Sequence, residues 1–238
     1  MNKTIFLDYQ STTPVSREVI EKMRPYFQEV FANPHSNDHY AGWESRRAVE
    51  NSRSQIANFL GCDSDEIIFT SGATEANNLA LQGLISFFKR KNKTKIIISQ
   101  IEHKCVIESA LAAKKFGFEI ITLKPSKDGL INQEDLKKII DNKVGLVSVM
   151  TVNNEIGTIQ PIKELAEITH AAEALFHTDA AQATSFMDIN VINSNVDLLS
   201  ISAHKMYGPK GIGALYIKRE IQILEEKMSE TDFWFNSD

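Results

Sequence analysis

The strongest constraint on the fold is an alternation. Short, almost wholly apolar runs recur between longer stretches with helical spacing. The apolar runs fall at residues 5–8, 67–70, 95–99, 118–123, 146–150, 176–179, 196–202 and 214–217. A run that is apolar at nearly every position suits a strand covered on both faces. Helix-like patterns occupy residues 17–30, 43–60, 75–88, 104–116, 133–140 and 162–174. Asn132 stands where an N-cap belongs, Gly61 just beyond a helix end, and Pro161 just ahead of a helix start. Strands separated by helices predict an α/β fold, with a mainly parallel sheet and helices on both faces. No repeat and no Gly/Ser-rich linker divides the chain, so its body reads as one domain.

Composition narrows the functional classes. Lys+Arg 26 against Asp+Glu 31 gives a net charge of −5, which offers no overall attraction to nucleic acid or an anionic membrane. With 42% apolar residues the chain can build a core and is not a disordered segment. Cys62 and Cys105 are the only cysteines, too few for a disulfide scaffold or an all-thiolate zinc site, and no metal site is expected. Asp8 interrupts the first apolar run far short of a signal peptide, and no run approaches a membrane span. The expectation is a soluble cytoplasmic protein with no nucleic-acid or membrane partner.

In open α/β sheets, ligands bind beyond the carboxyl ends of the strands, and three polar clusters fall there. Ser71 to Glu75 follow one strand and open a helix. Small residues and free N–H groups at a helix start suit an anion such as phosphate, although an ordinary strand–helix turn has the same composition. Asp179 ends another strand, where it is either a helix cap or a carboxylate awaiting a cationic partner. Lys205 follows a third, between Ser202 and a glycine-bearing turn through Gly213. It is either a snorkelling surface lysine or a partly desolvated amine nucleophile. Taken together, amine, carboxylate and anion site match what pyridoxal 5'-phosphate (PLP) requires: its aldehyde, ring nitrogen and phosphate take one each.

Seven ordered blocks carry a family resemblance. They begin with Leu7-Asp8-Tyr9 with Thr12-Thr13-Pro14, and with Asn33-Pro34 accompanied by Ser36, His39 and Gly42. Phe69 to Glu75, Glu102-His103-Lys104 and Val152 to Gly157 follow, then Asp179 with Gln182, and His204-Lys205 through Gly213. The chain resembles the class V aminotransferases, and among them the NifS-like cysteine desulfurases. The resemblance implies the large domain of fold-type I PLP enzymes over residues 1–218. It implies that Lys205 holds PLP as a Schiff base and shuttles protons, and that His103 stacks on the ring and assists proton transfer. Asp179 is then the ring-nitrogen partner, and Gln182 and Asn154 bond the side of the phenolic oxygen. Ala73, Thr74, Ser202 and His204 are phosphate contacts.

The same resemblance implies L-cysteine as substrate, alanine as product and sulfur passed to a catalytic cysteine, then to a sulfur-acceptor protein for iron–sulfur cluster assembly. It also implies a homodimer with the site at the subunit interface. The sulfur-accepting cysteine belongs after the PLP lysine, yet no cysteine follows Cys105. The C-terminal small domain and its carboxylate-clamping arginine are expected to be absent. An impaired desulfurase, complemented by another chain, is therefore expected. A non-catalytic PLP-binding remnant and another class V aminotransferase or lyase are the alternatives. Residues 219–238 form a divergent tail ending near Phe233, Trp234 and Phe235, which either packs back onto the domain or marks where a further domain is missing.

Overall fold

Seven strands join one sheet in the order β1-β7-β6-β5-β4-β2-β3, in a computed structural model that describes residues 5–221. They are β1 (Ile67–Thr70), β2 (Lys95–Ser99), β3 (Glu119–Leu123), β4 (Val144–Ser148), β5 (Leu175–Asp179), β6 (Leu198–Ser202) and β7 (Gly213–Ile217). Only β7 is antiparallel, hydrogen-bonded to β1 on one side and β6 on the other. The sheet is thus mainly parallel, as expected.

Alternate strand residues face opposite layers. Ile96, Ile98 and Leu146 pack with Ala76, Ala80, Val106 and Ala110 on one side. Ile97, Val147 and Phe176 pack with Leu60, Leu136 and Leu165 on the other. The helices supplying those layers are α3 (Tyr40–Leu60), α4 (Ala73–Gln82), α6 (Lys104–Ala112), α7 (Gln133–Ile139) and α8 (Ile162–Ala171). Burial of each large aliphatic side chain is worth about 1.5–3 kcal/mol, so two filled layers hold the sheet between them.

Several expectations are corrected. Residues 5–8 form no strand; they lie exposed with no ladder partner among the described residues, so apolar character alone does not make them a strand. The helix expected over 17–30 divides into α1 (Arg17–Met23) and α2 (Pro25–Gln28), because Pro25 has no N–H to continue α1 and is well suited to a first turn. The pattern over 75–88 breaks at Gly83 and Leu84 into α4 and α5 (Ile85–Arg90). Helix α3 starts earlier than expected because His39 caps it, its Nδ1 accepting the Gly42 N–H at 3.0 Å. The three aromatics near residue 234 lie outside the described residues. At the start of the expected tail, Arg219 bonds Asp63 and Asp65, each at 2.7 Å, fastening the end of β7 to the turn before β1.

Candidate active site

The carboxyl ends of β1, β2, β4, β5 and β6 and the amino end of β7 share one edge of the sheet. In the ladder, Gly213 stands opposite both Thr70 and Ser202, and Asp179 opposite Ser200. The chain leaving those ends encloses a cavity of about 660 Å³. All nine candidate residues line it: Ala73 and Thr74 after β1, His103 after β2, Asn154 after β4, Asp179 and Gln182 at and after β5, and Ser202, His204 and Lys205 at and after β6.

Asp179 is 5% exposed. Its Oδ2 accepts from Asn77 Nδ2 at 2.7 Å and its Oδ1 from the Ala181 N–H at 2.9 Å. Burial pushes its pKa up, while those two donors, and the nearby His103 and Lys205, pull it back. Among the described residues no side-chain cation forms an ion pair with it, so its hydrogen bonds come from neutral donors only. A cationic N–H in the cavity would complete that support.

Lys205 is half-buried. Burial lowers its pKa, against the pull of Asp179 and Asp8. Its Nζ donates to the Gln10 carbonyl, which also receives Gln182 Nε2 at 2.7 Å. The N-terminal segment is fixed there by buried Thr13, whose hydroxyl donates to the His204 carbonyl at 3.0 Å and accepts the Tyr207 N–H at 2.9 Å. Tyr207 has φ 61°, a left-handed residue that turns the chain just past Lys205. His204 Nδ1 lies 3.0 Å from Thr12 Oγ1, and burial first, then Lys205 and Lys210, lower its pKa.

The N-terminus of α4 opens onto the same cavity. Its N-cap is Gly72, which has no side chain to cap it, so the positive end of the helix at Ala73 and Thr74, both lining the cavity, carries no side-chain cap. A β-carbon on Gly213 would stand 2.7 Å from the Gly72 Cα and 2.6 Å from the Ile201 carbonyl oxygen. Bare backbone at both positions lets the β1–α4 turn lie against β7. His103 caps α6, its Nδ1 accepting the Cys105 N–H at 3.3 Å, with Cys105 Sγ at 3.0 Å. A desolvated amine, a buried carboxylate without a cation and an uncapped helix start fit the aldehyde, ring nitrogen and phosphate of PLP.

Three site residues have no role assigned from sequence. Gln10 supplies a carbonyl, which no side-chain pattern reveals. Glu102 belongs to one of the family blocks; it is buried, with Oε1 accepting the Met150 N–H at 2.6 Å and Oε2 without a partner. Asn77 stands in the apolar stripe of its helix, and that displaced polar residue is the signal that marks it.

A mainly parallel sheet with a lysine, an aspartate and an open helix start at its carboxyl edge defines the large domain of fold-type I PLP enzymes. Residues 5–232 match the model of the class V aminotransferases, and the chain belongs to that family. The family is PLP-dependent. Over 221 residues the chain is 51% identical to the mitochondrial cysteine desulfurase of Candida albicans, covering 93% of this chain and 45% of that protein. It is 49% identical over 222 residues to the mitosomal cysteine desulfurase of Encephalitozoon cuniculi, covering 93% and 51%. A solved structure described as SspA in complex with cysteine superposes with a TM-score of 0.85 at 42% identity, covering 90% of this chain and 61% of that one. The chain spans about half the length of the curated relatives it matches.

These names correct the cytoplasmic location expected above, since both of these relatives are organellar proteins, one mitochondrial and one mitosomal. A balanced charge and two cysteines do not distinguish the cytosol from an organelle interior, so composition carries no such information.

Proposed function

We propose that this chain is the PLP-binding portion of a cysteine desulfurase, with residues 1–218 as the cofactor-binding domain. It would act on L-cysteine, release alanine and pass the sulfur onward. The observation that carries the reading is the convergence of the Lys205 amine, the Asp179 carboxylate and the α4 N-terminus on one cavity. Bound PLP would supply an electron sink for the substrate's Cα.

The roles of the residues follow from their surroundings. Lys205, deprotonated more readily than a solvated lysine, would hold the aldehyde and afterwards move the Cα proton. Asp179 would hold the ring-nitrogen proton, an opposite charge at contact distance favouring the cation. The N–H groups of Ala73 and Thr74, with Ser202 and His204 beside them, would orient the phosphate. His103 would lie over the ring face, and Asn154 and Gln182 along its oxygen-bearing side.

Neither cysteine suits sulfur acceptance. Burial first, then Glu66, Asp63 and Asp65, raise Cys62 to about 12, and burial also raises Cys105. A protonated thiol is a poor nucleophile. The sulfur-accepting thiol would therefore come from another segment or another chain, in a homodimer or with a complementing subunit, before delivery to an acceptor protein and iron–sulfur cluster assembly.

The test is to load the chain with PLP, record the lysine-dependent absorbance, and assay alanine formed from cysteine. Absorbance lost in Lys205→Ala, with alanine formed once a sulfur-accepting thiol is supplied, is the expected result. Absorbance without alanine under any complementation identifies a PLP-binding remnant instead. No lysine-dependent absorbance removes both readings.

A further inference from the structure

We infer that Asn77 is a positioning residue for the cofactor, aiming the Asp179 carboxylate into the cavity and keeping it an anion. The inference rests on the reading of Asp179 as the ring-nitrogen partner.

Asn77 is 0% exposed, on the face of α4 that also buries Ala76, Ala80 and Leu81. An amide placed there is costly unless its polar atoms are served. Only half of it is. Nδ2 donates to Asp179 Oδ2 at 2.7 Å and reaches Cys105 Sγ at 3.2 Å. Oδ1 has no partner. A leucine of similar size would remove the stranded amide oxygen but leave Asp179 Oδ2 without its donor, so the amide is accounted for by what its nitrogen does.

What it does suits a charged carboxylate. An ionised Asp179 accepts hydrogen bonds and donates none, and the amide presents its nitrogen to it and leaves the oxygen behind. The second donor, the Ala181 N–H, serves the other carboxylate oxygen at 2.9 Å. One donor on each oxygen fixes the plane of the group as well as its place. Burial works against ionisation, and so does Glu102 if it ever charges; His103 and Lys205 favour it. Among the uncharged neighbours only Asn77 and the Ala181 N–H hold the balance toward the anion.

Placement on α4 adds a geometric consequence. Ala73 opens the helix, and Asn77 lies four residues on, about 6 Å along the axis at ~1.5 Å per residue. One rigid helix would therefore grip the cofactor's phosphate with its first turn and steady the ring-nitrogen partner with its second.

The test compares PLP with 1-deaza-PLP, which carries a ring carbon in place of the nitrogen, by equilibrium dialysis against the full chain and Asn77→Leu. A lost charge-assisted hydrogen bond should weaken PLP binding about tenfold, and move the pH at which the lysine-dependent absorbance changes. Binding of 1-deaza-PLP should stay within about twofold of the unsubstituted chain's. Equal losses for both ligands, or no loss for PLP, overturn the role. Should the unsubstituted chain bind the two equally well, the reading of Asp179 fails instead. If Asn77→Leu does not fold, the side-chain amide resonances of Asn77 in the unsubstituted chain decide: they should follow the Asp179 titration and shift with PLP, and their indifference to both overturns the inference.

Discussion

Gly213, the first residue of β7, and Gly72, the N-cap of α4, touch backbone to backbone. A β-carbon on Gly213 would stand 2.7 Å from the Gly72 Cα and 2.8 Å from its carbonyl carbon. Backbone cannot swing aside as a long side chain can. Gly213→Ala should therefore push the β1–α4 turn off the sheet edge, costing roughly 1–3 kcal/mol as overpacking does. PLP affinity should fall with it, because the donors at Ala73 and Thr74 move. Calorimetric melting and PLP dialysis measure the two effects, and an unshifted melting temperature would refute the contact's importance.

Thr13 joins the N-terminal segment to the turn that carries Lys205. Its hydroxyl both donates to the His204 carbonyl and accepts the Tyr207 N–H. Thr13→Val keeps the shape and loses both bonds, which should cost about 1–3 kcal/mol. Amide exchange should quicken at Tyr207 and at Ser16, whose N–H is bonded to the Tyr207 carbonyl. Exchange unchanged at both would show that the segment is held by other contacts.

His177 is fully buried between Ser148 Oγ at 2.8 Å and Ser200 Oγ at 3.1 Å. Burial depresses its pKa to about 3. Between that value and the ordinary value near 6.5, the unfolded chain binds a proton that the folded one refuses. Stability should thus fall as pH drops below about 6.5, by up to ~1.4 kcal/mol per pH unit from this group. Denaturant titrations of His177→Gln and the parent between pH 4 and 7 should differ in slope; parallel lines would exclude the neutral imidazole as the cause.

Glu102 works in the opposite direction. Burial, with Asp179 adding to it, holds its carboxyl well above the ordinary range despite the Met150 N–H. Here the folded chain keeps a proton that the unfolded chain has released. Stability contributed by this acid is complete below about pH 4.5 and declines as pH rises toward its folded pKa. Glu102→Gln retains an oxygen for Met150 and removes the titration, so its advantage over the parent should grow with pH. A constant difference from pH 5 to 8 would contradict a protonated Glu102.

Much of the fold and of the site is legible in the linear sequence, for identifiable reasons. Strands 67–70 and 95–99 stand out because both faces of the sheet are covered, leaving unbroken apolar runs. Lys205, Asp179 and Ala73 are visible because each sits where a buried strand gives way to a polar turn, the edge at which such sheets bind ligands. Residues 5–8 mislead because apolar content is not pairing, and β-structure needs a partner that only topology supplies. Gly83 does not declare itself as a break within 75–88, since glycine is tolerated in helices when packing favours it. Gln10 and Glu102 act through a main-chain carbonyl and a main-chain N–H contact, and such partnerships leave no trace in residue type.

The reversed orientation of β7 has a consequence for biosynthesis. It is the last of the seven strands to be translated, yet it is wedged between β6 and the first strand, β1. Until the ribosome has delivered residue 217, β1 has no ladder to join, and β6 presents a raw edge able to recruit another nascent polypeptide. Completion of the sheet is a long-range closure of the kind that slows folding. Chaperone engagement should therefore persist on stalled chains ending before residue 213 and lapse on those that have released β7.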